Sequence, residues 1–269
     1  MSQPLNINEI LNLVRESNRD LEKSLYIPSL GKSVVVKPMT ALHLKNIIKT
    51  SVSGIFANNI FNQTVYGILN EILIDESVIS QINTLDKVAI ILQLRQNNIR
   101  PTIEVELFSD DNKIKEEIDI STILSKIQKT SFKFDDEIIL IDSTEILINF
   151  PTINQEFLFN RSFEKNYTKK IDESDKTALK EIFGVLFIYE IAQYLKSIKF
   201  KDTVIDFSEY SVDNRISVVE NISGNTISKI IETVDQKFGK QLTDILTVEK
   251  TIDGITYSGK IEINPSILS

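Results

Sequence analysis

Apolar residues recur at helical spacing in the first segment of the chain. Ile10, Leu11, Val14 and Leu21 fall on one stripe between Asn8 and Lys23, with Asn8 placed to cap the helix. The pattern then changes to two β-prone runs, Leu25-Tyr26-Ile27 and Val34-Val35-Val36. They flank Pro28-Ser29-Leu30-Gly31, which predicts a hairpin. Thr40 caps a second helix with Ala41, Leu44 and Ile48 on a shared face. In a third, Val65, Ile68, Leu69, Ile72 and Leu73 follow the i, i+3, i+4, i+7 rule. Thr84 begins a fourth whose centre, Val88 to Leu92, is apolar almost throughout, as suits a helix packed inside a domain.

After Pro101 the period becomes two. Ile103, Val105 and Leu107 alternate with polar residues, as do Ile114, Ile118 and Ile120 beyond a polar tip at Ser109-Asp110-Asp111-Asn112. Phe132 to Phe134, Ile138 to Ile141 and Glu145 to Phe150 read as further strands, after a short helix from Ser121 to Gln128. Residues 152–176 are polar and charge-mixed, the signature of a linker or long surface loop. Helices resume at Thr177 to Lys196 and at Thr226 to Phe238, the latter with a stripe of Ile227, Ile230, Ile231, Val234 and Phe238. Gly239 stands where a helix end favours positive φ. The pair Asp253-Gly254 between two β-prone runs predicts a closing hairpin.

The expected fold class is therefore α+β: N-terminal helices with an antiparallel β region, then a helical C-terminal half ending in a β-hairpin. The expected division is an N-terminal helical extension (1–24), an α+β domain (25–151), a linker or long loop (152–176), and a helical region with its hairpin (177–269).

Composition narrows the chemistry. Of 269 residues, 30 are Lys or Arg, 38 are Asp or Glu, one is His and none is Cys, a net charge of −8. No disulfide, thiolate nucleophile or cysteine metal site can exist, and one imidazole excludes sites needing two. The acidic balance without a basic block argues against nucleic-acid binding. No run approaches the roughly 20 apolar residues of a membrane span, and the N-terminus lacks the pattern of a secretory signal. Eight Gly and six Pro leave few sharp turns to hold a backbone against a ligand.

The candidate motifs favour structural readings. Gly31-Lys32-Ser33 imitates the end of a phosphate loop, but Tyr26 stands where the upstream glycine belongs and a valine run follows in place of a helix. His43, off the Ala41/Leu44/Ile48 stripe, reads as an exposed helix histidine. The acidic clusters Asp110-Asp111, Asp135-Asp136-Glu137 and Asp172-Glu173-Asp175 read as solvated tips and loops, with a carboxylate or metal-dependent hydrolase as the rival reading. Asp86 and Arg95, at opposite ends of the apolar helix, suit its dipole. Arg95 could instead anchor a loop or a partner.

A resemblance extends over about residues 25–265. Leu25-Tyr26-Ile27-Pro28-Ser29-Leu30-Gly31-Lys32, then Lys37-Pro38-Met39-Thr40 and a helix, resemble the opening of a T4-like bacteriophage baseplate protein family. Further short matches follow in the family's order. They are Leu85-Asp86-Lys87 to Leu94-Arg95, Ile146 to Pro151, Ile205-Asp206-Phe207-Ser208, and Ile261-Glu262-Ile263-Asn264-Pro265. Several members of that family carry cysteine pairs at two hairpin tips. Here the corresponding tips, Phe108 to Asn112 and Thr251 to Thr256, hold none.

The resemblance implies a non-enzymatic baseplate hub component or hub assembly factor, without cofactor or metal. Its partners would be other phage tail or baseplate hub proteins, not nucleic acid or membrane. It would act in the host cytoplasm during assembly or in the tail baseplate of the virion, and the oligomeric state stays open. The alternatives to this reading are a cytosolic adaptor unrelated to tails, or the carboxylate or metal-dependent hydrolase. Candidate partner-binding residues are Ile10, Leu11 and Val14 on the first helix, Ile27, Pro28 and Leu30 at the first hairpin, and Arg95.

Overall fold

A computed structural model of the chain describes residues 6–19, 21–110, 112–130, 136–141, 144–167 and 176–268. The first helix, α1 (Ile7–Arg19), is capped by Asn6 rather than Asn8. The Asn6 side-chain oxygen accepts from the backbone N–H of Asn8 and Glu9, and the Glu9 carboxylate accepts from the N–H of Asn6. This reciprocal arrangement satisfies donors that a helix start leaves open.

Strands β1 (Lys23–Ile27) and β2 (Lys32–Val36) then pair antiparallel around a 3-10 turn at Pro28–Leu30, with Gly31 at φ 58. Leu25, Ile27, Val34 and Val36 point into the core. Helices α2 (Ala41–Thr50), α3 (Ala57–Ile72) and α4 (Thr84–Asn98) follow. Every residue of α4 from Leu85 to Arg95 is buried. At about 1.5–3 kcal/mol for each buried Ile, Leu or Val, this helix is the main apolar reservoir of the fold.

The buried face of α2 is His43, Ile47 and Thr50, not Ala41, Leu44 and Ile48. The helix is rotated because His43 turns inward to complete its own cap. Its Nδ1 accepts the backbone N–H of Thr40, while the Thr40 hydroxyl accepts the N–H of His43. The expected exposed histidine is thus a buried one.

Strands β3 (Thr102–Ser109) and β4 (Asn112–Asp119) form the expected hairpin, and α5 (Ile120–Lys129) follows with Ile120, Ile123 and Ile127 inward. Next come β5 (Glu137–Ile141), β6 (Thr144–Ile148), and α6 (Ile153–Tyr167), where sequence suggested a linker. The rest of that expected linker, residues 168–175, and the expected strand at Phe132 to Phe134 lie outside the described residues. Helix α7 (Lys176–Tyr194) leads into an unexpected hairpin, β7 (Leu195–Phe200) and β8 (Thr203–Asp206). Strands β5-β6-β7-β8 form an antiparallel meander in that order.

Helices α8 (Val212–Glu220) and α9 (Gly224–Val234) precede a π-helical segment, Asp235–Gly239, that runs into α10 (Lys240–Leu246). Gly239 has φ −61 and continues the helix, so it does not end it in the left-handed conformation expected. The closing hairpin, β9 (Thr247–Ile252) and β10 (Ile255–Lys260), turns on Asp253 (φ 50) and Gly254 (φ 80). It joins β3 to give a second sheet of order β4-β3-β10-β9. The edges of that sheet are tied across it by Lys250 and Glu116 at 2.6 Å.

The fold is α+β, with the C-terminal hairpin as expected, but its two cores divide the chain differently from the sequence reading. The first core draws on residues from Leu25 to Ile127, then on Ile153 from α6 and on Ile245, Leu246, Val248, Ile261, Ile267 and Leu268. The second gathers Ile139 to Phe238, together with Phe56 and Leu85. The C-terminal hairpin therefore completes the first body, and the second body is inserted within it. A polar seam joins them along α3 and α6, where Asn59 meets Asn160, Asn62 meets Glu156, and Tyr66 meets Asn154.

Candidate functional site

Helix α1 presents an exposed apolar surface. Ile7, Ile10, Leu11, Leu13 and Val14 are each exposed by 43–65%, and all fall on a broad arc of one helix face. Beside its C-terminal end lies a groove of about 680 Å³, bounded by Asn18 and Glu22 on one side and by Lys37, Pro38, Leu42, Glu71 and Ile74 on the other. His43 forms part of its floor and contacts the Glu71 carboxylate through Nε2 at 3.0 Å. With Nδ1 already accepting from Thr40, Nε2 is the protonated nitrogen and donates this bond.

A second groove, of about 360 Å³, runs between α7 and α9. Ile191, Ile230, Ile231 and Val234 form its apolar floor, Phe187 stands half exposed on its wall, and Phe183 lies one turn further along α7. Glu156, Glu190, Tyr194 and Asp235 close one end. The Lys87 ammonium compensates Glu156 at 2.7 Å. Among the described residues no ion pair or hydrogen bond involves the side chains of Glu190 or Asp235, and burial raises the Glu190 carboxyl although the residue keeps an exposed surface. Burial, aided by these three carboxylates, pushes the Tyr194 hydroxyl up to about 12.

The structure places the candidate partner-binding residues in three kinds of setting. Ile10, Leu11 and Val14 are on the exposed arc. Pro28 and Leu30 are half-buried, Leu30 against the first core. Ile27 is buried in the first core, and Arg95, also buried, lines a groove of about 610 Å³ beside β3 and the C-terminal segment. Arg95 anchors the C-terminal segment: its Nε donates to the Thr102 carbonyl and its Nη1 to the Ile267 carbonyl. Asp86, at the other end of α4, is fully buried. It accepts the N–H and hydroxyl of Ser29 and the N–H of Asn83. Burial raises its carboxyl above the usual range, opposed by those hydrogen bonds. The dipole reading of this pair misses its main role, which is to pin the first hairpin and the C-terminus to one helix.

The described members of the acidic clusters do not converge. Asp110 sits at the β3–β4 tip with φ 46, whereas Asp136 pairs with Lys196 at 2.6 Å beside the other sheet. Asp111, Asp135 and Asp172 to Asp175 lie outside the described residues. Among the described residues no group of three His, Asp or Glu side chains is placed to hold a metal ion. Gly31-Lys32-Ser33 forms the end of a hairpin turn and the start of β2, without the following helix that phosphate binding needs. No described helix is long and apolar enough to cross a membrane.

Sequence reasoning did not find the α7–α9 groove. Its floor residues on α9 were visible as a stripe, but only the tertiary arrangement shows that α7 leaves part of that stripe uncovered. Comparison of the chain with protein-family models, characterised proteins and solved structures finds no match.

Proposed function

We propose that the chain is a non-enzymatic structural or assembly factor for the baseplate hub of a contractile phage tail, acting by binding other tail proteins. The exposed apolar arc of α1, set beside the 680 Å³ groove, carries this reading. An amphipathic terminal helix is a common docking element for a partner groove. The ordered sequence resemblance supplies the class of partner. Two of its matched segments also meet in space: Ser29 of the first bonds to Asp86 of the third. The carboxylate hydrolase is not favoured, because Asp110 and Asp136 flank strands of different sheets.

The test is a pull-down of the purified chain against the separately expressed products of the flanking tail genes, repeated with Leu11→Asp/Val14→Asp. Retention of at least one tail protein by the wild type, and its loss in the variant, is the expected result. Binding to none of them, with normal tails assembled when the gene is deleted, would sink the proposal.

A further inference from the structure

The groove of about 610 Å³ between β3 and the C-terminal segment brings together two features that the fold leaves unsatisfied. The first is a buried cation. Arg95 is 3% exposed, and its guanidinium donates to two neutral carbonyls, those of Thr102 and Ile267. Among the described residues its Nη2 has no hydrogen-bond partner and no carboxylate pairs with it. Burial, and then the like charge of Arg100, lower the guanidinium. Arg100 lines the same groove, is exposed, and also acts on Glu104, so its charge lies over the groove. The carboxylates of the groove are already engaged. Glu104 meets Lys115 at 2.8 Å, Glu106 meets Lys113 at 2.7 Å, and Glu262 accepts from Asn264 at 2.8 Å. A buried charge without a counter-ion is costly, and here the missing anion can reach it only through the groove.

The second feature is a free strand edge. Among the described residues β10 pairs with β3 only where Ser258 faces Phe108, and the Ile261 N–H turns away to the Leu246 carbonyl. The Glu106 carbonyl points toward Gly259, and the Thr102 carbonyl toward Arg95. Alternate residues of an antiparallel strand turn their N–H and C=O to the same side. Glu104, midway between them, therefore turns its backbone groups into the groove, and no backbone bond from the C-terminal segment meets them.

We propose that this groove binds the C-terminal end of an extended polypeptide, with its α-carboxylate on Arg95 and Arg100 and its last residues paired to β3 at Glu104. The two features combine strand addition with capture of a terminal carboxylate. Because the cations lie at the Thr102 end, the guest runs antiparallel to β3. The edge from Thr102 to Glu106 measures about 13 Å, enough for about four residues. Ile103 and Phe108, both partly open to solvent, give the guest apolar walls. A phosphate would leave the strand edge unused and would meet three carboxylates at the rim. This inference uses no residue of α1, so its failure leaves the tail-assembly reading untouched.

The test is fluorescence polarisation of the full chain with a pool of dye-labelled tetrapeptides that end in Val, Ile, Leu or Phe. One pool has free carboxylates and the other carboxamides. The carboxylate pool should bind, and the carboxamide pool should bind about 10- to 100-fold more weakly, the scale of a lost hydrogen bond to a charged group. Arg100→Glu, at an exposed position, should weaken the carboxylate pool by a similar factor, with circular dichroism and melting as for the wild type. Glu104→Pro removes the N–H that faces the groove, a change that a free edge tolerates, and should also weaken binding. Absence of binding by the carboxylate pool at about 1 mM overturns the proposal. So does equal binding of the two pools, or wild-type affinity in either variant. Displacement of the peptides by hexanoate or inorganic phosphate at matching concentrations would reduce the site to a simple anion pocket and overturn the strand pairing.

Discussion

Replacing Gly259 with alanine should split the second sheet at its weakest joint. An alanine Cβ at this position would lie deep inside contact distance of the Glu106 carbonyl oxygen and 2.7 Å from Leu107 Cδ2. The first obstacle is backbone, so it cannot swing aside as a side chain would. Strand β10 must move away from β3, and the two share only one ladder position, Ser258 opposite Phe108. Forcing a methyl into a packed site costs about 1–3 kcal/mol. Loosening the joint loses a further backbone hydrogen bond, about 1 kcal/mol. The reduced freedom of the unfolded chain returns about 0.4–1 kcal/mol. The net expectation is a loss of about 2–3 kcal/mol, a fall in melting temperature of roughly 5–10 °C for a chain of this size.

Gly184→Ala is the control. Gly184 lies within α7 with nothing inside 4 Å of the added methyl, so helix propensity should stabilise it by about 0.5–1 kcal/mol. Thermal melts by circular dichroism, with hydrogen exchange over 247–260, read both effects. If Gly259→Ala melts at or above the wild type, the close approach of β10 to β3 is wrong and the sheet is built differently.

Lys87 and Glu156 form a nearly buried pair at 2.7 Å, with Asn62 also accepting from the ammonium. Lys87→Met should therefore cost about 3–5 kcal/mol by stranding the carboxylate, and adding Glu156→Leu should recover most of it. Urea titrations of both variants check this, and equal losses in the two would refute it. Asp86 gives a pH signature. Burial raises its folded carboxyl above the ordinary aspartate range, so the folded state holds the proton more tightly than the unfolded one. Stability should then fall as pH rises from the unfolded pKa through the raised folded pKa. Asp86→Asn should flatten this segment of the stability–pH curve, and a variant with the wild-type slope would assign the effect to other groups.

The elements legible from sequence are those whose burial is apolar and periodic. Helix α3 buries Val65, Ile68, Leu69 and Ile72 as its spacing requires, and Asp253-Gly254 turns the last hairpin. Helix α6 was hidden because much of its contact with α3 is polar. Asn154, Glu156 and Asn160 meet partners from another segment, and a sequence cannot show that a polar residue is satisfied. Strand β7 was hidden by a register shift opposite Leu147 and Ile148, which puts its buried residues, Leu195 and Ile198, three apart rather than two. His43 was misplaced because capping by its ring, and not hydrophobicity, sets the rotation of α2. Of the candidate contact residues, Ile10, Leu11 and Val14 are exposed. Ile27 and Arg95 went inward because a strand face and a pair of distant carbonyls needed them.

The insertion of one body within the other also orders events during synthesis. Arg95 and the carbonyl it holds at Ile267 are 172 positions apart, a delay of roughly ten to thirty seconds at ribosomal speed. Throughout that interval β3 lacks its β10 neighbour. The strands of the inserted meander, all between residues 137 and 206, emerge well before it. The inner body can therefore close on the ribosome first, leaving the outer one as an open clasp that snaps shut only when the last hairpin arrives.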